Sequence, residues 1–339
     1  MKRKPHFLWW TALCIAAIFM PLIAQHFSNF YLTHVLGLTG LYIILALGLN
    51  IVIGFTGLLD LGFMAFYGLG AYSSMLLSIH GIPFWLNLGL TIGIVALVRV
   101  FLGWSVLRLR GDYLAIVTLG FGEITRIILN NWDWLTNGPK GLPRVGEKIQ
   151  AINLLGFSLS TDTHFYYLIF AFVILAIIAS YRLDNSRIGR AWTAIREDEI
   201  AAELMGINVS HYKLLSFVIG SSFAAITGAI HSHWIGFITP ESFTFWESVL
   251  LVTMVVLGGM GSVAGVLMGC VLIVGIPEFL RDALGAQFVL YRMLVFGLIM
   301  AIMILFRPQG LIPSRRRSLE LHPDDERIKQ EEDQSLFDI

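Results

Sequence analysis

Apolar runs of about 20 residues recur along the 339-residue chain and constrain its fold more than any other feature. A helix needs about 20 apolar residues to cross the hydrocarbon core of a bilayer. Segments near 8–24, 35–54, 58–79, 84–107, 113–130, 165–182, 213–236 and 288–306 meet that requirement. The stretch 247–280 is too long for one crossing. Gly258-Gly259-Met260-Gly261-Ser262 interrupts it and divides it into 247–258 and 262–280. These ten segments predict an all-α polytopic membrane protein. Charged residues make up only 14% of the chain, against about 25% in soluble domains, so lipid is the simplest solvent for its surface. A soluble enzyme, a nucleic-acid-binding protein and a secreted disulfide scaffold are excluded on the same ground.

Charge tests the count. Lys and Arg favour the cytoplasmic side of short loops. With both termini cytoplasmic and ten crossings, sixteen Lys and Arg fall inside. Four (Lys140, Arg144, Lys148 and Arg281) fall outside. A single crossing at 247–280 would export Arg315-Arg316-Arg317, so the bias supports the division. The first segment, after Lys2-Arg3-Lys4, also has a signal-peptide pattern, but its bulky run with Trp9 and Trp10 fits an uncleaved helix better. The layout predicts a transmembrane domain over 1–306, with an outer loop at 131–164 and a cytoplasmic loop at 183–212. Residues 307–339 read as a disordered cytoplasmic tail.

Few patterns carry chemistry. No G-x-x-x-x-G-K-[ST] phosphate loop, nucleophile elbow or H-E-x-x-H pair occurs. No catalytic or metal-ligating group is therefore expected, and His231 and His233 lack a nearby acid. Cys14 and Cys270 sit alone in apolar runs and read as packing residues. Gly261, Gly265 and Gly269 recur every four residues, a spacing that lets helices approach closely in lipid. Gly54-Phe55-Thr56-Gly57 breaks the chain between the second and third segments, as a tight cytoplasmic turn or as part of a transport path.

Polar residues inside the segments are the candidates for a path. Glu123, Arg126 and Asn130 share one helical face. That stripe either faces a path or is an ion pair locking the helix to a neighbour. Asp60 is expected at the inner end of the third segment, near water, with Arg99 snorkelling toward the inner surface. Asn50 is expected to hydrogen-bond an adjacent helix. The cytoplasmic loop predicts one helix over 186–206, capped by Ser186 or Asn185 and ended by Gly206. Ile188, Trp192, Ile195 and Ala202 fall on one face, which Glu199 interrupts. Its basic first half and acidic second half oppose the helix dipole. That arrangement suits either a docking helix for a cytoplasmic partner or a solvated loop that orients the protein by charge.

Ala201-Ala202-x-x-x-Gly206 resembles the coupling-loop signature of ABC importer permeases, with Ile200 where the signature has Glu. Leu45–Asn50, Gly57–Gly62, Leu107–Gly120, Ala194–Glu199, Val256–Ser262 and Phe306–Leu311 resemble the branched-chain amino acid ABC importer permeases, LivM-type subunit. The match runs from about 35 to 313. The resemblance implies a bacterial inner-membrane permease of about ten helices in two related halves. It implies four kinds of partner chemistry: a second related permease, two cytoplasmic ATPases, a periplasmic substrate-binding protein and a small-molecule substrate. ATP and magnesium would then be bound by the ATPases, leaving this chain without a cofactor. It also implies that Arg196, Glu197, Asp198, Glu199, Ala201, Ala202, Glu203 and Gly206 couple the permease to the ATPases. Branched-chain amino acids are the expected substrate; urea or short amides, handled by related permeases, are the alternative. A self-sufficient secondary transporter is the remaining one.

Overall fold

The computed structural model describes residues 30–106, 112–154, 157–159 and 161–277, with positions 297, 298, 301, 305 and 310–312. The first predicted segment (8–24), Cys14, most of the tenth (288–306) and most of the tail (307–339) lie outside the described residues. Within them every regular element is helical apart from a two-stranded ladder in the outer loop. Six helices are long and apolar enough to cross a membrane, and two more are apolar but shorter.

The helix α1 (Phe30–Asn50) continues into a π-helical turn, Ile51–Phe55. The next helix, α2, spans Phe63–Ile79. The third predicted segment therefore loses its first residues: 58–62 are not helical. The helices α3 (Phe84–Val106) and α4 (Asp112–Asn131) follow. The outer loop carries the short α5 (Asp133–Thr136) and the ladder β1 (Asn153–Leu154) with β2 (Phe157–Ser158). Then come α6 (Asp162–Asp184), α7 (Arg187–Glu197), α8 (Glu199–Leu204) and α9 (Val209–Ile235). The described part ends with α10 (Phe245–Gly258) and α11 (Val263–Cys270), the latter extended by a π turn, Val271–Gly275.

The core forms around α1 and α9. The α1 span is 78% buried within the protein and α9 is 61% buried, whereas α4 is only 28% buried. Apolar burial gives helices no reason to associate in lipid, so close approach must supply the contact. The spacing of small residues on α9 permits it. Gly220 lies against the Gly48 carbonyl of α1, Ala225 against Gly70 of α2, and Gly228 against the Tyr67 carbonyl.

The division of 247–280 is borne out: α10 and α11 form an antiparallel pair around a turn at 259–262. The predicted glycine stripe is only partly a packing stripe. A Cβ on Gly265 would overlap the Gly258 carbonyl, and one on Gly269 the Met254 carbonyl, so these two do seat α11 on α10. Gly261 does not. It lies in the turn, at φ +81, a conformation that favours glycine.

The termini of these helices sort into two ends. One end gathers 50–57, the loop 185–208, the turn 259–262 and residues 310–312, whose Leu311 and Ile312 amides donate to the Leu257 and Gly258 carbonyls. The other end gathers the 80–83 turn, the outer loop and 236–244; Leu142 pairs there with Ile238, and Trp85 Nε1 donates to the Asn153 carbonyl. The first end is the one that the charge bias of the sequence predicts to be cytoplasmic.

Candidate functional site

The loop predicted to be cytoplasmic is two helices rather than one. The chain breaks at Asp198, whose extended backbone (φ −154°) ends α7. Its carboxylate accepts the Ile200 and Ala201 amides at 2.8 and 3.0 Å and so caps α8. This break eases the dipole conflict of a single helix where the charge changes sign. Arg196 now lies in the last turn of α7, and Asp198 with Glu199 opens α8, where each charge complements the nearer helix end. Ser186 caps α7 as expected, accepting the Gly189 amide at 3.1 Å. Gly206 follows α8 at φ +84.

The predicted apolar face is the face that seats the loop. Trp192, Ile195 and Ala202 are buried. Trp192 stacks on Phe55 of the π turn and donates Nε1–H to the Tyr212 carbonyl at 2.8 Å. Glu199, the charged residue on this face, has a partner in it: Lys213 Nζ lies 2.7 Å from its carboxylate, and the Lys213 side chain is itself buried. Arg196 donates to the Gly54 carbonyl at 2.6 Å and its stem lies against Gly57. The opposite face is bare. Ile200, Leu204 and Met205 are 58%, 82% and 83% exposed, an apolar patch outside the membrane span.

The two charges assigned to the inner surface are placed differently. Asp60 and Arg99 are both buried and bonded to each other. The Arg99 guanidinium lies between the Phe66 and Phe217 rings, 4.2 and 4.1 Å from their centroids. Snorkelling fails because a fixed anion and two ring faces inside the protein solvate the guanidinium without water. Asp60 belongs to the non-helical 57–62 segment and also accepts the Gly62 amide at 3.0 Å. Leu61 beside it donates to Thr118 Oγ1 of α4 at 3.1 Å.

The α4 stripe is assembled in part. Arg126 Nε donates to Glu123 at 3.0 Å, and Nη1 donates to Glu241 at 2.9 Å. Glu241, in the 3-10 turn Pro240–Ser242, was not singled out in the sequence; a lone acid after Thr239-Pro240 carries no pattern. Asn130 shares the face but takes no part in these bonds. Asn50 behaves as expected for a packing group: it is buried and its Oδ1 accepts the Gly261 amide at 2.8 Å, holding the α10–α11 turn against α1.

Residues 31–304 match the family described as branched-chain amino acid transport system / permease component. The chain is 40% identical to the high-affinity branched-chain amino acid transport system permease protein LivM of Salmonella typhimurium, over 95% of this chain and 77% of that one. It is 40% identical to LivM of Escherichia coli strain K12 over the same shares. It is 30% identical to the permease protein LivH of Escherichia coli strain K12, over 80% of this chain and 91% of that one. No solved structure matches the chain.

Proposed function

The chain belongs to the family of branched-chain amino acid transport system permease components, and we propose that it works as one membrane half of an ATP-binding-cassette importer in the bacterial inner membrane. The other half would be a related permease, since two distinct permease proteins of such systems, LivM and LivH, are both similar to it. Two cytoplasmic ATPases would bind below, and a periplasmic binding protein would deliver the amino acid above. ATP and magnesium belong to the ATPases in this reading.

The observation that carries it is the loop formed by α7 and α8. A coupling element must be held rigidly to the spans and offer a free face to the engine. Trp192, the Lys213–Glu199 pair and the Arg196–Gly54 bond hold it. Ile200, Leu204 and Met205 form the free face. When the ATPases close or part, their displacement reaches the spans through these anchors and tips the permease pair between inward-open and outward-open states.

The test is Leu204→Asp combined with Met205→Asp, assayed in the whole complex. Both side chains are exposed, so folding stability should stay within about 0.5 kcal/mol of the parent. Copurification of the ATPases and ATP-driven leucine uptake should both fall at least about tenfold, the effect of losing about 1.4 kcal/mol at a contact. Normal uptake and normal copurification would refute the docking role.

A further inference from the structure

One face of α4 is the wrong surface to give to lipid. Gly120, Glu123, Ile124 and Ile127 recur at i, i+3, i+4 and i+7, so they share that face. Ile124 and Ile127 are exposed, and a Cβ on Gly120 would meet no described atom within 4 Å. The Glu123 side chain is 37% exposed beside them and bonds Arg126, which also bonds Glu241. Exposed Tyr113 stands at the start of α4, and exposed Trp132 follows its end. Such rings favour the two interfaces of a membrane. They are nineteen residues apart, about 28 Å at 1.5 Å per residue, close to the roughly 30 Å of a hydrocarbon core. Glu123 lies midway between them, where an exposed charge is most costly.

A second observation falls on the same surface. Phe243, Thr244 and Phe245 meet Leu119, Gly122 and Glu123 around a narrow cleft. The first turn of α10 therefore starts at the depth of Glu123, and 236–244 reaches it without forming α-helix. On that stretch Glu241 is 66% exposed, and Ser242 beside it is exposed too. Hydrocarbon offers no partner to the backbone groups of irregular chain, which occurs at membrane depth only against protein or water. Charge and backbone thus exclude lipid on separate grounds. Ile124, Ile127 and Trp246, all exposed, decide between protein and water. A watery path gains nothing from bare apolar side chains beside a carboxylate, whereas a packed protein surface buries them.

We propose that α4 and 240–246 form the surface on which the second, related permease packs, and that this partner sets a lysine or arginine against Glu241. The proposal deepens the importer reading and rests on it. In that reading the ATPases and the binding protein lie outside the membrane, so a second membrane chain is the partner that reaches the depth of Glu123. Gly120 lets a helix of the partner approach closely. The isoleucines and Trp246 pack against it. The Arg126 guanidinium serves two carboxylates, which leaves one negative charge, and Glu241 is the more exposed of the two acids. A cation from the partner makes the four charged groups neutral as a set, and a carboxylate there would be repelled.

The experiment uses the assembled transport complex in its membrane. Ile124 and Ile127 are replaced, one at a time, by photoreactive benzoylphenylalanine, and the adducts formed on illumination are identified by mass spectrometry. Adducts with the second permease are expected; adducts with lipid alone would overturn the interface. In a chain carrying Cys14→Ala, Cys270→Ala and Ile127→Cys, a membrane-impermeant maleimide should fail to label the complex and should label the chain once detergent has separated it from its partner. Labelling of the intact complex would show a watery path and overturn the interface as well. Glu241→Lys sets two cations against each other, so recovery of the second permease with this chain should fall at least about tenfold, the effect of losing about 1.4 kcal/mol, whereas Glu241→Asp should retain it. Unchanged recovery in Glu241→Lys would overturn the charge pairing. Absence of any second permease from the proteins recovered with the unmodified chain would instead refute the importer reading.

Discussion

The Asp60–Arg99 pair allows a quantitative test of how the fold tolerates charge at membrane depth. Both groups are buried, and Arg99 is held by one carboxylate and two ring faces. Removing one partner of a buried pair strands the other, at about 3–5 kcal/mol. Asp60→Asn keeps an oxygen for the Gly62 amide and leaves Arg99 its two rings, each contributing about 0.5–2 kcal/mol, so its cost should fall near 3 kcal/mol. Arg99→Met strands a carboxylate with a single amide donor and loses both cation–ring contacts, so its cost should lie near 5 kcal/mol. The double variant buries no charge, and the thioether fits between the two rings. It should be destabilised by no more than about 2 kcal/mol, far below the additive value of about 8. At about 2 °C per kcal/mol, the thermal midpoint in mild detergent should drop about 6 °C, 10 °C and at most 4 °C for the three variants. A double variant falling about 16 °C would show that the two residues do not interact. A single variant within 2 °C of the parent would show that neither is buried as an ion.

Two further tests address the turn between α10 and α11. Asn50→Leu removes the acceptor for the Gly261 amide, and an unpaired buried donor costs about 1–3 kcal/mol; the thermal midpoint in detergent should fall by about 2–6 °C, and no shift would remove Asn50 from the turn. Gly269→Val places a side chain on the Met254 carbonyl, so α11 must shift on α10 at the roughly 1–3 kcal/mol typical of overpacking; the thermal midpoint in detergent should fall by about 2–6 °C, and no shift would refute the close contact.

What the sequence disclosed follows from what lipid demands. Apolar runs must reach about 20 residues to cross, so most spans were readable from length alone. The 259–262 turn was readable because two glycines and a serine cannot extend an apolar helix cheaply. The loop's buried face was readable because Trp192, Ile195 and Ala202 recur at helical spacing. Periodicity names a face but not the neighbour opposite it. Asp60 and Arg99 are 39 residues apart, and nothing in either local sequence points to the other. The break at Asp198 was hidden for another reason. An aspartate within a charged amphipathic run reads as a surface residue, yet the reversal of charge from Arg196 to Glu199 was already the sign of two dipoles rather than one. The mismatch was the signal, and a single helix was the wrong frame for it.

The segment joining α1 to α2 explains why such hidden contacts matter. It ties the loop helices, α3 and α4 to the same short stretch of chain. Arg196 of α7 bonds Gly54 and packs on Gly57; three residues later Asp60 bonds Arg99 of α3, and Leu61 bonds Thr118 of α4. Gly62 sits so close to the Thr118 carbonyl that a Cβ there would overlap it. A displacement of α7 therefore cannot be absorbed by sliding at 57–62, because each slide breaks a buried hydrogen bond or ion pair without offering a replacement. It must instead carry α4 with it. Glu123 lies five residues beyond Thr118 on that helix, so the Glu123–Arg126 pair is carried by the same helix that Leu61 and Gly62 contact.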